Sequence, residues 1–367
     1  MNKIVETIDD IFDKEQDDGL ILKNEYSNRR LHLSRYDRMV RDIVLSIKSN
    51  EYILDPDFQR NFVWNKEKCS KLIESILINV PIPNIYASDD TNGKWIIVDG
   101  IQRLTALNNF YNDEFKLQHL EILTELNNKK YSELDDKYRI ALDKGNISII
   151  LLEEDTSPNI KFDIFMRLNT GGEELKPQEL RNCLYRGKFN DAIKNEMADD
   201  ANFRRILPKG NNKEVYKRME DIELVLRFLA LDNDFLYNKF TFNSYTGNLK
   251  SFLNNYMSKY KNADEQYIND QSIKFKTTVE KIIDIFGDKI FLRENGKFNK
   301  SIYDMIMICV ANNNFDRIDK KKLTCKMKDM LTRDANFTET LKKSTSSKEN
   351  IVKRISKCDE LIQSCKV

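Results

Sequence analysis

The sequence predicts an α+β fold, with a sheet-bearing domain over residues 35–235 and an all-α region over 236–367. Three observations lead there. Two β-branched apolar runs, KWIIV at 94–98 and NISIILL at 146–152, read as strands. Stretches with apolar residues at helical spacing surround both runs. From Phe242 onward the pattern is almost wholly helical with polar connections. A length of 367 residues also suits more than one domain.

In chain order, residues 1–34 read as a short acidic helix and an irregular lead-in. Residues 35–49 place Met39, Val40, Ile43, Val44 and Ile47 at helical spacing, which predicts an amphipathic helix. Residues 52–64 are broken by Asp55-Pro56 and read as a short strand, a turn and an aromatic-rich loop. A helix over 65–79 has Asn65 as its N-cap, because a short polar side chain can satisfy a free N–H of the first turn. Pro81 and Pro83 stop it. Strands at 85–87 and 94–98 around a turn at 90–93 predict a hairpin. A helix starts directly after Asp99-Gly100. A strand at 115–117, a helix at 135–142, the strand at 146–152 and helices at 159–168, 177–185 and 218–231 follow. The segment 342–349 (KKSTSSKE) reads as an exposed linker.

Composition excludes several classes. With 40% hydrophobic and 32% charged residues and a mean hydropathy of −0.60, the chain is expected to be water-soluble and folded. No apolar run is long enough for a membrane span, and no secretory leader is expected, so the predicted compartment is the cytoplasm. Six cysteines are scattered with no C-x-x-C pair, which argues against zinc and against a disulfide framework. The two histidines are His32 and His119, so residues 120–367 hold no histidine base for an HNH-type nuclease. The net charge of +1 conceals an uneven distribution. Residues 1–230 carry 35 Lys and Arg against 41 Asp and Glu, whereas 291–367 carry 17 against 10. A basic C-terminal region suits a phosphate-backbone partner, although a solvated lysine-rich surface gives the same count.

Three motifs carry chemistry. At Val98-Asp99-Gly100-Ile101-Gln102-Arg103 a strand ends, a glycine permits a tight turn, and a helix begins. The first N–H groups of a helix lack intrahelical partners and carry the positive end of its dipole, which favours an anion. Arg103, in the first turn, adds a bidentate donor for phosphate. Asp99 makes sense there either as the ligand of a divalent cation shared with phosphates or as the residue that orients Arg103. The second motif, Pro56-Asp57-Phe58-Gln59-Arg60 followed by Trp64, presents Gln and Arg between aromatic residues, fit to grip a phosphate and stack a base, or else to staple the next helix. The third is Phe165-Met166-Arg167-Leu168-Asn169-Thr170-Gly171-Gly172, an arginine at a helix end before glycines that allow close backbone approach.

Together these motifs resemble the N-terminal domain of GmrSD-type modification-dependent restriction endonucleases, the DGQQR-motif family. The match runs through DPDFQRNFVW (55–64), KLIESILINVPIP (71–83), WIIVDGIQRLTAL (95–107), FDIFMRLNTGGEELKPQELRN (162–182) and RMEDIELVLRFLAL (218–231). The resemblance implies a ParB/sulfiredoxin-like small mixed sheet with surrounding helices. It implies a nucleotide-binding, NTP-hydrolysing module acting in bacterial anti-phage defence. Carried over by motif, Asp99, Gly100, Gln102 and Arg103 stand for DGQQR, Gln59 and Arg60 for the F-Q-R element, and Arg167 and Asn169 for R-L-N. The family's first glutamine is Ile101 here. That loss matters if the glutamine aligns a water or reads a base, and not if the position faces the core.

The expected mechanism follows. Gln59, Arg60, Gly100, Arg103 and Asn169 bind the polyphosphate. Mg²⁺ bridges phosphate oxygens with Asp99 as its protein ligand. Gln102 positions the attacking water, and Arg167 stabilises the transferred phosphoryl group. Expected partners are DNA, a separate nuclease or defence subunit, and a second copy of the chain. Two other readings stay open: a DNA-binding sensor without turnover, and a ParB-like DNA-nicking nuclease.

Overall fold

The computed structural model describes residues 32–54, 64–89, 93–153, 155–168, 176–208, 219–293 and 295–366. The expected lead-in helix, the loop carrying Gln59 and Arg60, and Asn169 lie outside them. The chain divides into two compact units, one spanning Ser27–Leu175 and the other including Lys176–Val367. The class is α+β, with one five-stranded mixed sheet and a helical C-terminal region.

In the first unit the strands are β1 (Leu33–Met39), β2 (Tyr52–Ile53), β3 (Ile85–Asp89), β4 (Trp95–Asp99) and β5 (Asn146–Leu152). Their order across the sheet is β1-β5-β3-β4-β2. β3 and β4 form the expected antiparallel hairpin, and β5 runs parallel to β3 and antiparallel to β1. Helices α1 (Val40–Lys48), α2 (Lys66–Leu77), α3 (Ile101–Tyr111), α4 (Asp136–Asp143) and α5 (Pro158–Leu168) complete the unit. Ile43, Ile73, Leu104, Leu107, Phe110 and Ile149 meet in its core. Asn65 caps α2 as expected, accepting the Lys68 N–H at 2.9 Å.

Three expectations need correction. The helix predicted over 35–49 begins only at Val40, because Leu33–Met39 pairs along its whole length with β5. No capping side chain marks the switch at Met39, and the partner strand lies over a hundred residues away. Residues 115–117 form no strand. Leu117 exchanges backbone bonds with Asn128 and Lys129 but the ladder does not extend, and burial of Phe115 and Leu117 explains their apolar character. The 342–349 linker is not exposed throughout. Thr345 and Ser346 are buried, and the Arg354 guanidinium donates to the Thr340 and Thr345 carbonyls at 2.6 Å each.

One buried carboxylate organises the segment after α3. Glu74 on α2 accepts the N–H groups of Ile122 and Leu123, both at 2.8 Å, and of Glu121 at 3.3 Å. Burial pushes its carboxyl up, but the three N–H donors and Lys71 outweigh this, and the net effect is a pKa held below its ordinary 4.5. A depressed carboxylate adds stability above its unfolded value, and the gain is lost as pH falls through the lower folded value. Glu74→Gln is therefore expected to cost about 1–3 kcal/mol at neutral pH. Urea midpoints should show that difference shrinking below about pH 4. A pH-independent difference would contradict the assignment.

The second unit is built from α6 (Pro177–Leu184), α7 (Lys188–Ala192), α8 (Ala201–Ile206), α9 (Glu220–Asp234), α10 (Leu249–Tyr260), α11 (Glu265–Phe286), α12 (Lys300–Asn312), α13 (Lys320–Arg333), α14 (Ala335–Thr340) and α15 (Lys348–Gln363). A two-stranded ribbon, β6 (Phe235–Leu236) with β7 (Thr241–Phe242), interrupts them. α12 is buried from Ser301 to Val310 and packs against α9, α11 and α15. No helix among the described residues is long and apolar enough to cross a membrane.

Candidate functional site at the strand–helix junction

The site is assembled where β4 hands over to α3. Gly100, at φ +93° and ψ 9°, occupies the left-handed region and stands at the N-cap of α3 with no side chain to cap it. Its lack of a Cβ matters twice. The backbone conformation is one that L side chains rarely adopt, and an added Cβ would lie 2.2 Å from Ile85 Cδ1 and 3.1 Å from an Arg103 guanidinium nitrogen. Opposite the junction, β3 carries a register irregularity between Tyr86 and Ala87, and Tyr86 pairs with Asp99 across the hairpin. Bulges of this kind re-aim side chains near functional sites.

Arg103 is mostly buried, with 12% of its side chain exposed. Its guanidinium donates to Asp99 Oδ2 at 2.8 Å, to the Asn84 carbonyl at 3.2 Å, and to the Pro83 carbonyl. Burial lowers its pKa, and Asp99 offsets part of that. Burial likewise raises the Asp99 carboxyl, against the pull of Arg103 and of a hydrogen bond from the Gly100 N–H. The pair thus pins the start of α3 to the Pro-rich entry of β3. Of the two sequence readings for Asp99, this geometry favours the one in which it orients Arg103.

The remaining expected site residues are placed as follows. Gln102, half-buried, lies beside Arg103 in the first turn of α3. Ile101 is 8% exposed and belongs to the core cluster, so the position that departs from the DGQQR signature faces inward. Arg167 is exposed in the last turn of α5, a helix that packs against β4. Trp64 packs against the core, with Lys68 Nζ 4.6 Å above its ring.

For a cation, Asp99 offers one carboxylate whose Oδ2 already takes Arg103. Mg²⁺ commonly needs only one or two carboxylates when phosphates supply other ligands. The donor set therefore fits the ion solely as a companion of bound phosphate. Among the described residues, three metal-type donors converge elsewhere, at His32, Glu153 and Asp155 beside the β1–β5 pair. Sequence reasoning missed this group because the two strands pair at long range. It also missed Pro83 and Asn84, whose part is played by backbone carbonyls that no side-chain motif records.

No curated protein and no solved structure matches the chain at a significant level. A family model does match, that of the GmrSD restriction endonuclease N-terminal domain, over residues 40–186. The matched span contains β4, the Asp99-Gly100 turn, α3 and α5. Over residues 40–186, this chain is thus similar to the N-terminal domain of the GmrSD restriction endonuclease.

Proposed function

We propose that the protein is a nucleotide-dependent component of a restriction-type defence system that associates with DNA, and that the β4–α3 junction binds and hydrolyses a nucleoside triphosphate. The observation that carries this reading is the left-handed Gly100, which leaves the N-terminus of α3 without a side-chain cap beside a buried arginine. Uncapped N–H groups at a helix start favour phosphate. A guanidinium has five N–H groups, and the contacts to Asp99, Pro83 and Asn84 leave two for a ligand. In this proposal Arg103 has two roles, as tether and as phosphate donor, while Gly100 gives the phosphate room against the backbone. Arg60, Gln59 and Asn169 would complete the phosphate contacts. Gln102 would hold the attacking water, and Arg167 would meet the charge that develops on the transferred group. Mg²⁺ would be held by phosphate oxygens and one oxygen of Asp99, and would supply charge neutralisation. Cleavage of DNA is assigned to a separate subunit.

Arg103 and Asp99 are tied into the fold, so the test uses Gln102→Ala and Arg167→Ala. Phosphate release from each of the four ribonucleoside triphosphates is measured with matched melting curves. The expected outcome is a loss of about 10²–10³-fold in turnover with an unchanged melting temperature. Wild-type turnover in both variants, or none in the wild-type protein, would remove the NTPase reading. DNA affinity that depends on salt but ignores nucleotide would point to a sensor without turnover. Plasmid nicking in Mg²⁺ by the chain alone would point to a nuclease.

A further inference from the structure

The helical unit contains a cavity of ≈ 530 Å³ between the end of α11, the segment before α12, and α13 and α14. Its size is that of a pocket for a small ligand. Four cationic residues line it: Lys289, Arg293, Lys328 and Lys342. None of the described lining residues is acidic. Arg293 is anchored through a donor bond to the Leu341 carbonyl at 3.1 Å. The three lysines come from separate stretches and make no ion pair among the described residues. Lysines gathered around one concavity repel each other, and that repulsion favours a bound anion.

The rest of the lining narrows the class of anion. Phe286, Ile290, Ile302, Leu331 and Leu341 make an apolar surface, while Asn295, Thr332 and Thr338 add neutral hydrogen-bonding groups. A single carboxylate on an acyl chain would match one cation, not four, and would not use the neutral polar groups. An inorganic phosphate would not use the apolar surface. We propose that this cavity binds a nucleoside di- or triphosphate, its base against the apolar surface and its phosphates on Lys289, Arg293, Lys328 and Lys342. The site shares no residue with the β4–α3 junction and stands whether or not that junction turns over nucleotide.

The test uses the full chain and calorimetric titration with ATP, GTP, CTP, UTP and inorganic triphosphate. The variant Lys328→Ala/Lys342→Ala changes two exposed side chains, and circular dichroism checks its fold. Lys321→Ala/Lys322→Ala, exposed on the helix that carries Lys328, is the control. At least one nucleotide is expected to bind at a site weakened tenfold or more by the first pair and unaffected by the second. Arg60→Ala, which removes a proposed phosphate contact of the junction, should leave that site intact, which separates this proposal from failure of the junction. Equal weakening by both lysine pairs would reduce the site to general surface charge and overturn the proposal. So would unaltered affinity in Lys328→Ala/Lys342→Ala, or inorganic triphosphate binding as tightly as every nucleotide.

Discussion

Gly100→Ala is expected to destabilise the Ser27–Leu175 unit by about 2–5 kcal/mol. Two costs combine. A non-glycine residue held at positive φ costs about 1–2 kcal/mol. Overpacking a filled core adds about 1–3 kcal/mol, and here the new methyl would meet Ile85 Cδ1 at 2.2 Å. Ile85 is fully buried on β3, so it cannot swing into solvent. The same methyl would press on the guanidinium that ties α3 to Pro83 and Asn84. A double variant separates the two costs. Ile85→Val alone loses about 0.5–1.5 kcal/mol. Combined with Gly100→Ala it removes the colliding Cδ1, so the pair should be less destabilised than the sum of the singles, while the backbone cost persists. Urea unfolding followed by tryptophan emission reads this unit directly, because Trp64 and Trp95 are the chain's two tryptophans. Strict additivity would show that the glycine is needed for its φ alone.

The hairpin and the helix after Asp99-Gly100 are legible in the sequence because every signal that builds them is local. A turn, two β-branched runs and a glycine before an apolar-periodic stretch lie within some thirty residues. What escaped the sequence depended on distant partners. β1 looks helical until β5 is laid beside it. The tether of Arg103 ends on carbonyls 19 and 20 positions upstream, and a carbonyl has no letter in the sequence. Ile101 illustrates the reverse case. The sequence leaves open whether its departure from the family signature disables the site, and burial in the core shows that the side chain faces inward. The lysines of the helical unit read as a diffuse basic surface. Only the fold sorts them, drawing Lys328 and Lys342 to one cavity while Lys320 pairs with Asp284.

The same dependence on distant partners produces the largest expected stability effect in the helical unit. Arg227 lies in the middle of α9, within an otherwise apolar run, and its side chain is 2% exposed. Its Nε donates to Asp304 Oδ1 at 3.1 Å and a terminal nitrogen donates to Oδ2, a two-pronged pair joining α9 to α12. Glu223, one turn earlier, sits at 3.9 Å from the same guanidinium. Burial pushes the Glu223 carboxyl up, but Lys300, Arg181 and Arg227 bring it below its ordinary range, so it stays ionised. Removing one member of a fully buried pair leaves an uncompensated charge, which typically costs 3–5 kcal/mol. Asp304→Ala should be strongly destabilising, because it takes both carboxylate contacts from a buried guanidinium. Arg227→Met/Asp304→Leu removes both charges and fills the space with apolar atoms. It should lie within about 1–2 kcal/mol of the parent protein, because well-packed replacements of buried pairs are often neutral. Chemical unfolding followed by circular dichroism compares the two. If the double variant falls as far as Asp304→Ala, the pair is indispensable to the packing of α9 on α12. If Asp304→Ala unfolds like the parent, Arg227 has found another acceptor and the buried pair is not what holds the helices together.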